Sequence, residues 1–231
     1  MILDNHVLCI ESASKNCSVS LFKADALIDS IEEKGSYSHS ENLAAFIDQL
    51  LTRKSVKLMD LAAVAISEGP GSYTGLRIGL SLAKGICSGA QIPLIAIPTL
   101  DAMSWGAIRS VNDQAALYCP MLDARRMEVY TGLYSATNQI VQQVAPKVID
   151  EHAFKDTLEK NTVYFFGDGA SKCRDLIQSE NAIFLKDHFI SSQYMGAIGY
   201  KKLLGKQFVD LAYFQPNYFK EFIAGKPKKL V

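Results

Sequence analysis

Apolar and polar positions along this chain follow two rhythms, one of strands and one of helices, and their succession sketches a fold. Residues 6–11 (HVLCIE) form an apolar run that reads as a central strand. Residues 17–23 (CSVSLFK) and 26–32 (ALIDSIE) alternate with period two and extend it into a meander. A short polar turn, Ser12-Ala13-Ser14-Lys15-Asn16, joins the first two strands. Ser38-His39-Ser40-Glu41 then caps a helix over 40–52, whose Leu43, Phe46, Ile47, Leu50 and Leu51 recur at the spacing of one helical face. Residues 62–66 are apolar throughout, too few for a helix, and the run meets the breaker Gly69-Pro70-Gly71; they read as a buried strand. A helix over 72–89 follows, with Ser72 or Thr74 placed to accept a hydrogen bond from a free amide of its first turn. Residues 93–97 read as another buried strand. A helix over 99–108 comes next, with Thr99 as its cap and Asp101 in its first turn.

The same order then recurs. Strands over 117–122 and 127–134 flank Asp123-Ala124-Arg125-Arg126, and a third spans 140–149. A helix over 151–160, a strand over 163–166, a Gly167-Asp168-Gly169 turn, a helix to 177 and a last helix over 192–204 complete the pattern. Element order alone therefore divides the chain into two similar α/β lobes, residues 1–110 and 111–231.

The helix over 72–89 stands out. Its polar residues Arg77, Ser81, Lys84 and Ser88 keep to one narrow stripe, while Gly75, Gly79, Ala83 and Cys87 form a row of small residues at every fourth position. An interior glycine costs roughly 1 kcal/mol relative to alanine, so Gly75, Gly79 and Gly85 call for close packing to offset them. The expectation is a helical-bundle interface with another subunit through helices 40–52 and 72–89, built from Leu43, Phe46, Ile47, Leu50, Gly75, Leu76, Gly79, Leu80 and Ala83. The glycines also raise the question of phosphate binding. After Gly69, a phosphate loop would need glycine at position 74 and lysine at 75, where the chain has Thr74 and Gly75. A tight turn opening a packed helix fits better.

Composition narrows the function. Lys+Arg and Asp+Glu number 24 each, so no broad footprint for nucleic acid or an anionic membrane exists, and any service to RNA would run through other proteins. Five cysteines without a C-x-x-C pair fit reduced, buried thiols in the cytoplasm, and no leader is evident because Asp4, Asn5 and His6 interrupt the N-terminus. No apolar run approaches the roughly 20 residues of a membrane span. His6, His39, His152 and His188 lack metal spacing, so no metal site is expected. Glu11, Asp123 and Asp168 sit at strand ends or turns and could converge on a cleft between the lobes, with Ser12, Ser14, Gly167 and Gly169 beside them. Arg125 and Arg126 offer planar forks for a phosphate or carboxylate, and Lys226, Lys228 and Lys229 with Pro227 make a basic tail.

These residues carry a resemblance. The apolar strand, hydroxyl-rich turn, second strand and twice-used unit resemble the actin-like ATPase superfamily. Ile10-Glu11-Ser12 with Cys17-Ser18-Val19-Ser20-Leu21, the run GPGSYTGLRIG from Gly69 to Gly79, Ala83-Lys84-Gly85, Asp123-Ala124-Arg125-Arg126 with Glu128-Val129-Tyr130, and Pro216 with Tyr218 resemble the bacterial TsaB (YeaZ-like) family of tRNA threonylcarbamoyladenosine biosynthesis proteins, related to the glycoproteases. The likeness is strong over the first 135 residues and thinner after them, where Gly167-Asp168-Gly169-Ala170 and the tail carry it. It implies a two-lobed actin-like (ASKHA) fold and a non-catalytic partner of the catalytic paralogue TsaD. With the small ATPase TsaE, that pair would serve transfer of threonylcarbamoyl to the adenosine beside the anticodon. It implies no required cofactor, with weak nucleotide binding at the cleft left open, and a homodimer as another pairing. Thr99 and Met103 stand where the metal-holding histidines of the catalytic paralogue would be. Glu11 replaces the aspartate usual in the superfamily, and Ala13 removes a hydroxyl from the turn. The alternative readings are a small-molecule kinase of the superfamily and a glycoprotease-related (M22-type) enzyme.

Overall fold

A computed structural model describes residues 6–33 and 42–219. The predicted cap at Ser38-His39-Ser40-Glu41 and the basic tail at Lys226, Lys228 and Lys229 lie outside the described residues.

Two five-stranded sheets repeat one plan. In the first, β1 (His6–Glu11), β2 (Cys17–Lys23) and β3 (Ala26–Glu33) form the antiparallel meander; β4 (Leu61–Ser67) and β5 (Leu94–Ile97) continue it in parallel, in the order β3-β2-β1-β4-β5. In the second, β6 (Leu117–Asp123), β7 (Glu128–Tyr134) and β8 (Ile140–Val148) form the meander, and β9 (Val163–Phe166) and β10 (Ala182–Phe184) run parallel to β6, in the order β10-β9-β6-β7-β8. The parallel strands are apolar because both faces are covered, which is why β1 is buried along its whole length.

Helices α1 (Leu43–Lys54) and α2 (Tyr73–Ala90) close a core of Leu8, Ile10, Val64, Ile66, Leu50 and Ala83 on one face of the first sheet. Helix α5 (Gly196–Leu204) and Met195 cover the other face with Val7, Cys9, Ala65 and Ile97. Helix α3 (Thr99–Val111) fills the space between the sheets: Leu100, Met103 and Ala107 pack with Tyr118, Tyr134 and Phe166, and Asp101 accepts a 2.8 Å hydrogen bond from the Tyr134 hydroxyl.

After α5 the chain becomes a strap. Val209 bridges Leu94 at the open edge of β5, and Leu211 and Phe214 pack on the first core. Asn217 then donates to the Glu68 carbonyl at 2.6 Å, the Tyr218 ring meets Tyr73 at 4.7 Å, and Phe219 meets Tyr130 on β7 at 6.1 Å. The last elements of the chain thus return to the first sheet.

Several elements differ from the expected ones. The helix over 151–160 shrinks to α4 (Lys155–Leu158), because the Asp150 carboxylate accepts the His152 amide and Phe154 enters the left-handed region at φ +66. The helix ending at 177 is a single 3-10 turn, Ser171–Cys173. The last helix starts late, because Ser192 is held by Ser18 and Ser20 of β2 and leaves a 3-10 turn before Gly196. The three-residue strand β10 carried no readable pattern. Thr99 does not cap α3; its Oγ1 accepts the Gly69 amide at 3.2 Å. All five cysteines are buried and none forms a disulfide, and among the described residues no helix is long and apolar enough to cross a membrane.

Candidate functional site

The run GPGSYTG folds as a hub. Gly69 takes φ +111, and a Cβ there would lie 2.4 Å from the Asn217 carbonyl oxygen of the strap. At Gly71 a Cβ would meet the Ala13 oxygen at 2.4 Å, and at Gly75 the Ser12 oxygen at 2.1 Å. The Ser72 amide donates to Ala13 O at 2.6 Å, while the Ser72 hydroxyl caps the helix by accepting the Gly75 amide at 3.2 Å. These contacts press the start of α2 onto the β1–β2 turn and leave Ser12 1% and Ala13 2% exposed. Ser14 spends its hydroxyl locally, accepting the Asn16 amide at 3.1 Å. The first two residues of the turn, Ser12 and Ala13, are packed, whereas Ser14 and Asn16 are half-buried and Lys15 is exposed.

Glu11 is fully buried beside this hub. It accepts the Ala13 amide at 2.6 Å and a hydrogen bond from the Ser67 hydroxyl. Burial pushes its carboxyl up to about 7, against the pull of those two bonds and the Ser12 amide. It does not join the other acids. Asp168 Oδ1 accepts the Asp123 amide at 3.0 Å, and Asp123 accepts the Arg125 amide at 2.9 Å and the Lys172 ammonium. Partial burial works to raise the Asp123 carboxyl, but Lys172 and the Arg125 amide outweigh it and hold it below the usual carboxylate range. The expected convergence of three acids is thus a pair plus a separate inward glutamate, and among the described residues no group of acids, histidines and cysteines could hold a metal. Gly167 turns the chain at φ +103, with Met121 O 2.3 Å from a would-be Cβ, and Gly169 packs on Leu122 and Asp123. Arg125 and Arg126 are exposed in successive left-handed conformations, φ +68 and +50. Thr99 and Met103 are wholly buried, the latter against Gly167. Two hollows stand out, about 610 Å³ beside Lys147 and Phe154 and about 470 Å³ beside Trp105 and Tyr194; neither is lined by Ser12, Asp123 or Asp168.

The expected partner face needs correction. Leu43, Ile47, Leu50, Leu80 and Ala83 are buried in the chain's own first core, and Leu76 lies in the cluster between the sheets. Gly75 and Gly79 meet Ser12, and a Cβ at Gly79 would lie 2.2 Å from the Ser12 Oγ and 3.1 Å from Ile66. Of the nine residues only Phe46 is part exposed. The small-residue row exists to admit the β1–β2 turn, so it is closed to a partner. The outward side of α2 carries a second row. Ser81, Gly85 and Gly89 are exposed at every fourth position, nothing among the described residues lies within 4 Å of a Cβ at either glycine, and Ile78, Leu82 and Ile86 are half-buried alongside, the last two against the first core. On α1, Ala44 and Ala45 are exposed, and Phe46 is half-buried against the first core. The signal for this row was present in the sequence, since Gly85 has no inward role and shares its spacing with Ser81 and Gly89.

Two sheets of one plan, each a meander extended in parallel with a tight turn between its first two strands, define the two-lobed actin-like fold. Solved structures agree: YeaZ from Pseudomonas aeruginosa superposes with TM-score 0.80 over 93% of this chain and 99% of its own, at 22% identity, a likeness of fold. A family model described as TsaD: tRNA N6-adenosine threonylcarbamoyltransferase matches residues 31–208, and the chain belongs to that family. Among its relatives, the tRNA threonylcarbamoyladenosine biosynthesis protein TsaB of Escherichia coli K12 is 35% identical over 128 residues, 55% of this chain and 54% of the relative. TsaB of Bacillus subtilis 168 is 31% identical over 140 residues, 61% of this chain and 59% of the relative. The matched stretch spans little more than half the length of these two relatives.

Proposed function

We propose that the chain is a non-catalytic partner of a TsaD-type transferase in tRNA threonylcarbamoyladenosine biosynthesis, docking through the outward side of α2 with the neighbouring residues of α1. The observation that carries this reading is the exposed row Ser81, Gly85, Gly89. Gly85 inside the helix costs roughly 1 kcal/mol and Gly89 lies in its last turn, nothing among the described residues packs on either, and aliphatic side chains flank them. Close approach of a partner helix is what such a row admits. The names of the TsaB relatives point to the pathway. The packing of Ser12 and Ala13 at the start of the β1–β2 turn and the side chains at Thr99 and Met103, which are no metal-holding histidines, favour a supporting role over a kinase or glycoprotease-like one. In this reading the chain needs no cofactor of its own, a nucleotide at the cleft would bind weakly, the TsaE ATPase acts on the assembled pair, and tRNA is reached through the complex in the cytoplasm. A homodimer through the same face is the competing occupant.

Gly85→Leu tests it. A bulky side chain there has room in the free monomer, so the variant should keep its circular dichroism and melting temperature while its complex with the TsaD-type paralogue, followed by light scattering, dissociates. An intact complex would take the interface off this face.

A further inference from the structure

Arg77 lies at the N-terminal end of the same outward side, beside Ile78 and one turn before Ser81. A long cationic side chain on a helix surface ordinarily wanders among rotamers, and ordering it costs free energy. This one is held. Its guanidinium carbon sits 4.0 Å from the centre of the Tyr73 ring and 5.7 Å from that of Tyr218, and its Nε donates to the Tyr218 hydroxyl at 3.1 Å. Tyr73 belongs to the first turn of α2, whereas Tyr218 arrives on the strap, tied down by the Asn217–Glu68 bond next to it. The residue is exposed, and among the described residues it has no carboxylate partner. The geometry is that of a planar fork stacked on Tyr73 and hydrogen-bonded to the tyrosine hydroxyls beside it, with five N–H donors of which those bonds use only part.

We infer that Arg77 is a pre-set anchor for a carboxylate of the partner protein docked on α2, and that Tyr218 is the positioning residue that holds the anchor ready. The inference rests on the docking reading above and adds the chemistry of its centre. A stacked arginine whose ordering is already complete gains more from a partner acid than a free one, which is why arginines of this kind dominate interfaces. A protein carboxylate fits better than an RNA phosphate. RNA affinity needs several cations acting together, and the only lysine of α2, Lys84, is spent on the Ala212 carbonyl at 3.1 Å. The neighbours of Arg77 on the outward side are instead the half-buried Ile78 and the uncharged Ser81, with Leu82 and Gly85 further along.

The test is affinity for the TsaD-type paralogue by sedimentation or calorimetry, at low and high salt. Arg77→Ala should weaken the complex by roughly tenfold or more with no change in melting temperature. Arg77→Lys should recover little, because an ammonium neither stacks nor forks. Tyr218→Phe, which keeps the ring and loses the bond to Nε, should weaken it by a few-fold, and the losses should shrink as salt rises. Arg77→Glu should be rescued by reversing one acid on the partner's facing helix. If Arg77→Ala and Arg77→Lys bind like the parent while Gly85→Leu does not, the anchor is overturned and the docking face stands. If none of the three alters binding, both fall. Binding of bare tRNA that is lost with Arg77→Ala would assign the fork to a phosphate and overturn the carboxylate.

Discussion

Among the described residues Glu11 is a carboxyl without a cation, held inside the first lobe by a hydroxyl and backbone amides. With its folded value raised from 4.5 to about 7, the folded chain keeps a proton there that the unfolded chain releases. Its contribution is therefore fully present below about pH 4.5 and is lost as pH rises to about 7, a change on the order of 3 kcal/mol. Glu11→Gln preserves the shape, and the Ser67 hydroxyl can turn to accept from the new amide. Urea titrations from pH 5 to 8 should then show the parent losing stability relative to the variant across that window. Parallel curves would mean that Glu11 ionises freely. The sequence showed Glu11 at a strand end, where acids either cap or reach a cleft. Its inward turn depends on Ser67, 56 residues away, and no local pattern encodes that meeting.

Helix α2 shows what periodicity can and cannot tell. Its limits were legible almost to the residue, 72–89 against Tyr73–Ala90, because a capping serine and a breaker mark the start and the apolar spacing carries it on. Which side meets what was not legible. Spacing says that Gly75, Gly79 and Ala83 share a face; it does not say that Ser12 will press against it. The two glycine rows should therefore respond oppositely to the same substitution. Gly75→Ala forces a Cβ against the Ser12 backbone and should cost on the order of 2 kcal/mol by denaturant unfolding. Gly89→Ala meets nothing within 4 Å among the described residues and should stabilise the isolated chain by up to about 1 kcal/mol. A loss at Gly89 would show that the outward row is already packed. The short helices of the second lobe escaped sequence reading for the converse reason. Apolar spacing continued through 151–160, while an aspartate turn and the left-handed Phe154 broke the backbone.

The two sheets were foreseen as successive lobes, and the molecule joins them more tightly than succession requires. Helix α3 shares its core with both, and the strap crosses from the β5 edge to Tyr130. Heat should accordingly unfold the chain in one transition, with the fluorescence of Trp105 on α3 and the far-ultraviolet dichroism of both sheets changing together. Two separated transitions would mean that the lobes are independent. The strap could not be placed from sequence, since residues 205–219 have neither strand nor helix rhythm and their partners are remote side chains and edges. Its position also sets a timetable. A ribosome delivers β5, Tyr73 and Arg77 well before it delivers Val209, Asn217 and Tyr218. During that interval the β5 edge is bare and the arginine has only one of its two walls. A nascent or prematurely ended product can thus have both sheets folded and still present an unfinished docking surface, so completion of synthesis itself becomes a condition for pairing.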